Sequence, residues 1–239
     1  MNREDSMSTV SHSVLPNSNK MPQPGERPDG SHAIRVKELC ERDRRRLLMH
    51  FLALSSDDRL LRFGTPLSDE LITRYVQKMD FARDTLFGVY DPKLMLIGVG
   101  HLAFAPRDAM LSIIDITTKE QVAEFGLSVS DTARGMGVGT RLFERAAIHC
   151  RNADVDTLTM HCLASNQTMM RIARKAGMQI KRTHSEADAY LTLAPANPVT
   201  MIQEAVEEQV AQFDYTLKAN TKAAVRWLGS MAGNHKRTG

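Results

Sequence analysis

The stretch Glu124–Thr140, EFGLSVSDTARGMGVGT, constrains the fold of this 239-residue chain more than any other. It reads as an apolar strand, a short polar turn, and then Arg134-Gly135-Met136-Gly137-Val138-Gly139-Thr140 opening a helix. Glycines just after a strand let the backbone curl tightly and leave its N–H groups pointing outward. The next helix adds the positive end of its dipole. A turn of this kind holds a phosphate-bearing ligand. The spacing G-x-G-x-G misses the dinucleotide fingerprint G-x-G-x-x-G by one residue, and the phosphate-loop pattern G-x-x-x-x-G-K-[ST] does not occur. A glycine-rich turn also serves as a helix cap or a plain loop, so the residues beyond it in the chain decide its meaning.

The surrounding pattern mixes strands and helices. Residues 1–31 are rich in Ser, Asn, Pro and Gly and poor in apolar side chains, which predicts a disordered tail. Residues 32–195 read as one domain. Ala33–Leu39 alternates like a strand, and Glu41–Leu54 is an amphipathic helix with Leu47, Leu48 and Phe51 on one side. Ser68 caps a second helix that carries Ile72, Tyr75, Val76 and Met79. Thr85–Tyr90 and Leu94–Ala105 form a strand pair around Asp91-Pro92-Lys93. Lys119–Ser130 is the strand before the glycine loop, and a helix over Val138–Arg151 comes after it. Then come a strand over Thr157–Leu163, a helix over Asn166–Ala176 stopped by Gly177, and short strands over Gln179–His184 and Ala189–Ala194. This order predicts an α+β fold with a central mixed sheet flanked by helices. Residues 196–239 add an amphipathic helix whose seam runs through Val206, Val210, Phe213, Leu217, Asn220, Ala224 and Trp227. That stripe has to be buried on the helix's own domain, on a second subunit or on a partner helix, through residues 199–228.

The motif R-G-x-G-x-G-[TA] at Arg134–Thr140 resembles the acetyl-CoA pyrophosphate loop of the GNAT N-acetyltransferases. Asn166 with Gly177-Met178 after it resembles that family's N-x(10)-G-F helix, with Met178 in place of the usual phenylalanine. The order of elements over residues 33–194 is also that of the GNAT fold. The resemblance implies acetyl-CoA as co-substrate. Arg134 and the backbone N–H groups of Gly135, Met136, Gly137, Val138, Gly139 and Thr140 would hold its pyrophosphate. Leu127, Ser128 and Val129, at a splayed strand end, would bond the pantetheine arm, with Asn166 close to it. The helix N-Q-T-M-M-R-I-A-R-K-A-G-M and the segment LALSSDDRLLRF at 52–63 look like the GNAT domain of bacterial protein lysine acetyltransferases. Many family members carry a tyrosine as acid for the departing thiolate where this chain has Ala173, so the resemblance names no such acid here.

The resemblance implies an enzyme that moves an acetyl group to a primary amine. An amine nucleophile must be neutral, and a lysine titrates near ~10.4, so a base is needed. Glu124, on the strand before the loop, matches the position of the catalytic glutamate in protein-lysine acetyltransferases. Its apolar neighbours Val122, Phe125 and Leu127 would raise its pKa toward the working range. His101 is the reserve candidate. Alternative readings are a small-amine acetyltransferase (antibiotic, polyamine or amino acid) and a non-catalytic acyl-CoA-sensing module. The acceptor and the acyl length are not encoded in any motif.

Composition excludes several classes. A net charge of +3 is too small to argue for nucleic acid. Cys40, Cys150 and Cys162 are odd in number and scattered, which fits free thiols rather than a disulfide framework. His149-Cys150 and His161-Cys162 lack metal-ligand spacing, so no metal is expected. An activated Cys162 is not expected either, since no base stands beside it in sequence. The first residues show no signal-peptide core, and the longest apolar run, interrupted by His101, is too short to span a bilayer. A cytoplasmic protein away from membranes follows by elimination.

Overall fold

A computed structural model describes residues 33–104 and 121–234, with side chains of the last helix traced to Arg226. The tail read over 1–31, the end of the third strand at Ala105 and the side chain of Trp227 lie outside the described residues. Among the described residues the strands are β1 (Val36–Glu38), β2 (Thr85–Tyr90), β3 (Leu96–Phe104), β4 (Val122–Val129), β5 (Thr157–Leu163), β6 (Gln179–Thr183) and β7 (Glu186–Thr192). The helices are α1 (Arg44–Leu52), α2 (Ser56–Phe63), α3 (Asp69–Gln77), α4 (Val138–Asn152), α5 (Gln167–Lys175) and α6 (Pro198–Asn234). The strands form one mixed sheet in the order β1-β2-β3-β4-β5-β7-β6, so the α+β expectation holds.

Every neighbouring pair is antiparallel except β4 and β5. Those two run parallel because α4 carries the chain back across one face of the sheet between them. Their pairing lasts only from Val122↔Thr157 to Glu124↔Thr159. Beyond Glu124, β4 stays with β3 as far as Val129 and β5 stays with β7 as far as Leu163. The strands therefore part like the arms of a V.

Alternation along the strands feeds two cores. Ala123, Phe125 and Leu127 of β4 join Leu142 and Phe143 of α4 and Met170 and Ile172 of α5. On the other face, Val99 of β3 and Leu86 of β2 join Leu47 and Phe51 of α1 and Ile72 and Val76 of α3. One helix was not expected from the sequence: α2. Its signals are all present. Ser55 Oγ accepts from the Asp58 N–H, Asp57 and Asp58 fill the first turn, and Gly64 closes it at φ +74°. Yet it is only eight residues long and none of its apolar residues, Leu60, Leu61 and Phe63, is fully buried, so its short stripe does not read as core.

The last helix departs from its expected packing. It docks on its own domain, against α4 and β1, but through its polar side. Glu204 accepts from Arg145, which is 1% exposed, at 2.7 Å, from His149 at 2.7 Å and from Asn152 at 2.5 Å. Arg145 also lies over the Phe87 ring, 4.9 Å from its centroid. The predicted seam faces away from this contact, with Phe213 71% and Leu217 56% exposed. The reason is Arg145: a buried guanidinium needs a carboxylate partner more than an apolar stripe needs cover. No helix among the described residues is long and apolar enough to cross a membrane.

Burial pushes the Glu204 carboxyl up, but hydrogen bonds from His149, Asn152 and Arg145 outweigh it and hold it at about 2. Its contribution to stability is therefore complete above the ordinary carboxylate range and disappears as pH falls toward that value. Glu204→Ala at neutral pH leaves the buried Arg145 with only Glu208, at 3.5 Å, and should cost about 3 kcal/mol. The expected drop in thermal midpoint is roughly 5–10 °C. A midpoint unchanged in scanning calorimetry would show that the pair does not anchor α6.

Candidate active site

The V between β4 and β5 opens into a cleft of about 410 Å³. Its walls are Leu127, Ser128 and Val129 on one side and Asn166, Met169 and Ile172 on the other. Leu127–Val129 pair with β3 on one edge only, so their other backbone edge has no strand partner. The splay expected at these three residues is thus present. Ser128 is held by a buried histidine: its Oγ is 2.8 Å from His50 Nε2, and His50 Nδ1 is 2.9 Å from the Leu96 carbonyl. A carbonyl only accepts, so Nδ1 carries the proton and Ser128 donates to Nε2. Burial pushes His50 down to about 4, so it stays neutral in this arrangement. Sequence reasoning missed His50, which α1 brings to β4 from far along the chain.

The glycine loop closes the narrow end of the cleft. Gly135 and Gly137 sit at φ +75° and +85°, a left-handed backbone that favours glycine. Gly137 is the N-cap of α4 and offers no side chain to the first turn. The N–H groups of that turn, with the helix dipole, make an anion site beside the cleft. Gly139 and Thr140 line the cleft as expected, and Met136 is exposed. Arg134, also exposed, pairs with Asp58 of α2 and lies 3.0 Å from Asp131. Asp58 and Asp131 hold its guanidinium at the mouth of the cleft. Asn166 serves two ends at once. Its Oδ1 caps α5 by accepting from the Met169 N–H at 3.1 Å, and its Nδ2 donates to the Leu61 carbonyl of α2 at 3.4 Å. Helix α2 packs on both β4 and β5.

Glu124 stands where the strands part. Its neighbours do not surround it as the sequence suggested. Phe125 and Leu127 point to the opposite face by strand alternation, and Glu124 is exposed. Of the expected apolar neighbours only Val122 shares its face. On its own face the register places Ala103 beside it on β3 and Thr159 on β5. Further along that face are His161, Glu186 and Tyr190, all exposed. His161 Nδ1 is 2.7 Å from Asp188, which raises its pKa. His149 and His161 thus have carboxylate partners. The buried Cys150 thiol is pushed up to about 12, and Cys162, against Met170, is also raised. Neither is a ready nucleophile. Ala173 is packed in the core.

Protonating His50 would break its bond from Ser128 inside the core. The unfolded chain binds that proton near pH ~6.5 and the folded chain only near 4, so stability should fall by about 3 kcal/mol across this window. Urea unfolding at several pH values checks this. His50→Gln should flatten the slope, and a slope unchanged in that variant would assign it to another group.

Three kinds of comparison bear on this site. A family model described as "Acetyltransferase (GNAT) domain" matches residues 34–179. No curated protein matches the sequence. Among solved structures, the GNAT domain of S. lividans PAT is similar at a TM-score of 0.54, with 20% identity, over 66% of this chain and 89% of that one. Arabidopsis thaliana NAA60 in complex with a bisubstrate analogue superposes at a TM-score of 0.51, with 14% identity, over 69% of this chain and 100% of that one. The yncA acetyltransferase of Salmonella typhimurium, with its cofactor acetyl-CoA, does so at 0.50, with 9% identity, over 70% and 97%.

Proposed function

The chain belongs to the GNAT acetyltransferase family, and from that premise we propose that it transfers acetyl groups from acetyl-CoA to amines presented by proteins, with a lysine side chain as acceptor. Bound acetyl-CoA supplies the activated thioester carbonyl. The residues here suit it. Outward N–H groups at Gly137–Thr140 and the Arg134 guanidinium take the pyrophosphate, and the free edge of Leu127–Val129 takes the amide groups of the arm. Along β4 the order is then glycine loop, Val129, Ser128, Leu127, Gly126, Glu124. An arm held along that edge would run toward Gly126 and Glu124. Glu124 takes a proton from the incoming ammonium, and the neutral amine attacks. Backbone N–H groups at the parted edge polarise the carbonyl, and much of the acceleration comes from holding both reactants in place.

The observation that carries the protein acceptor is that, among the described residues, Glu124 is exposed on a polar sheet face beside His161, Glu186 and Tyr190. Glu124 lines neither this cleft nor the larger cavity of about 1140 Å³ beside α1. A small polyamine or aminoglycoside acceptor calls for an enclosed acidic pocket. A flat face suits a lysine carried on a folded surface. The test is acetyl transfer from labelled acetyl-CoA to intact proteins and lysine peptides, against polyamines, aminoglycosides and amino acids. Transfer to small amines alone would sink the protein-acceptor reading. CoA binding without transfer to any amine would favour the acyl-CoA-sensing module.

Two variants test the residues. Gly137→Asp adds strain and a negative charge where phosphate approaches, and calorimetry should show CoA affinity lost; unchanged affinity would remove the loop from the site. Glu124→Gln keeps the shape without the proton acceptor. Its kcat should fall by about 10²–10⁴-fold with CoA binding retained. Near-normal turnover at neutral pH would place the base elsewhere.

A further inference from the structure

The family's usual thiolate acid is missing, since its place is taken by the buried Ala173. The cleft holds another group at the right level. Arg62 of α2 lines it and covers Gly126: a Cβ at that glycine would stand 2.6 to 2.8 Å from Nη2, Cζ and Nη1 of the guanidinium. Any side chain at position 126 would push Arg62 away. Among the described residues its hydrogen bond goes to the Tyr75 hydroxyl, at 3.2 Å, and not to a carboxylate.

Tyr75 is itself held. Its hydroxyl is 3.1 Å from His101 Nδ1, and His101 Nε2 is 3.1 Å from Asp84 Oδ2. Asp84 can only accept, so Nε2 carries the ring proton and Nδ1 accepts from Tyr75. Burial and the nearby Arg62 charge both lower the His101 pKa, in keeping with a neutral ring. Donation thus runs one way, from Arg62 to Tyr75 to His101 to Asp84. The Tyr75 proton is directed away from the cleft, and the Arg62 charge is fixed on its wall.

We propose that Arg62 stabilises the leaving CoA thiolate, and that Tyr75, His101 and Asp84 are positioning residues that hold it there. This rests on the acetyltransferase reading above. Glu124 removes a proton from the acceptor ammonium, and the amine lone pair forms the N–C bond at the thioester carbonyl. The adduct loses its second N–H proton to water, and the C–S electron pair departs on sulfur. The products are the amide and a CoA thiolate, which takes a proton from water after it leaves. Arg62 gives up no proton, since a guanidinium stays charged; it offsets the charge that grows on sulfur. Glu124 and Gly126, which Arg62 covers, are two positions apart along β4, about 7 Å, so base and guanidinium address the same stretch of the strand.

The test uses the full chain with an acceptor that the wild type acetylates. Arg62→Ala should lower kcat by about 10²–10³-fold, with KM for acetyl-CoA and CoA affinity little changed. Millimolar guanidinium chloride should restore part of that loss, and Arg62→Lys should fall between. Arg62→Gln keeps a donor to Tyr75 and serves if the alanine variant fails to fold. Tyr75→Phe should cost less, and its cost should vanish in an Arg62→Ala background. Weaker CoA binding at unchanged kcat would make Arg62 a cofactor ligand and overturn the inference. So would an unchanged kcat, or a loss in folded Arg62→Ala that guanidinium does not restore. A wild type that transfers acetyl groups while these variants keep its kcat refutes only the role of Arg62. A wild type that binds CoA and acetylates no amine refutes the acetyltransferase reading, and this inference with it.

Discussion

The parting of β4 from β5 after Glu124↔Thr159 is the constraint on which the rest depends. Each strand keeps its other neighbour through the separation, β4 with β3 and β5 with β7. The gap is thus enforced from both sides rather than left by fraying. It leaves backbone N–H and C=O groups at Leu127–Val129 without a strand partner on one edge. A buried polar group in that condition costs about 1–3 kcal/mol unless something bonds it. The same gap lets α2 cross over the opening, which places Asp58 at the loop and Arg62 on Gly126. Glycine loop, free edge, guanidinium and Glu124 come together because one strand carries or touches them all.

Polar groups, rather than added apolar area, set the fine geometry. Ser128 is pinned by a neutral His50 inside the α1 core, so the free edge of β4 has a fixed support behind it. The chain from Arg62 to Asp84 does the same for the wall of the cleft. On the far side of the sheet, Glu204 and the buried Arg145 decide which side of α6 meets the domain. Arg145 keeps its Nε without a hydrogen-bond partner among the described residues, while the His50 and Arg62 chains are bonded at each link, where a shift would leave a desolvated group unpaired.

The sequence was most legible where chemistry is local. The tight glycine turn, the helix stop at Gly177 and the spans of β2 and β5 are written in short stretches, and the structure places them as read. It was less legible where one residue's surroundings come from another element. The hydrophobic neighbours of Glu124 are adjacent in sequence and opposite in space, because a strand turns successive side chains to different faces. The seam of α6 has a clear apolar period, but the helix docks through Glu204 on the buried Arg145 of α4, whose burial shows no sign in sequence.

Helix α2 shows why such misreadings gather at the site. A helix is read from its apolar stripe, and that of α2 is only Leu60, Leu61 and Phe63, none of them fully buried. Beside Phe63, which packs on Phe51 and Tyr75, the contacts that hold it are polar and come from outside the helix. Arg59 donates to the carbonyls of Leu52, Leu54 and Leu67, and Asn166 reaches it from α5. Arg134 reaches it from the loop. Each such bond contributes only about 0.5–1.5 kcal/mol, so α2 stands on the sum of contacts from several elements. A segment over a polar cleft cannot be covered in leucine without exposing it or closing the cleft. The requirement that keeps the cleft polar is the one that hides its covering helix from a search for hydrophobic period.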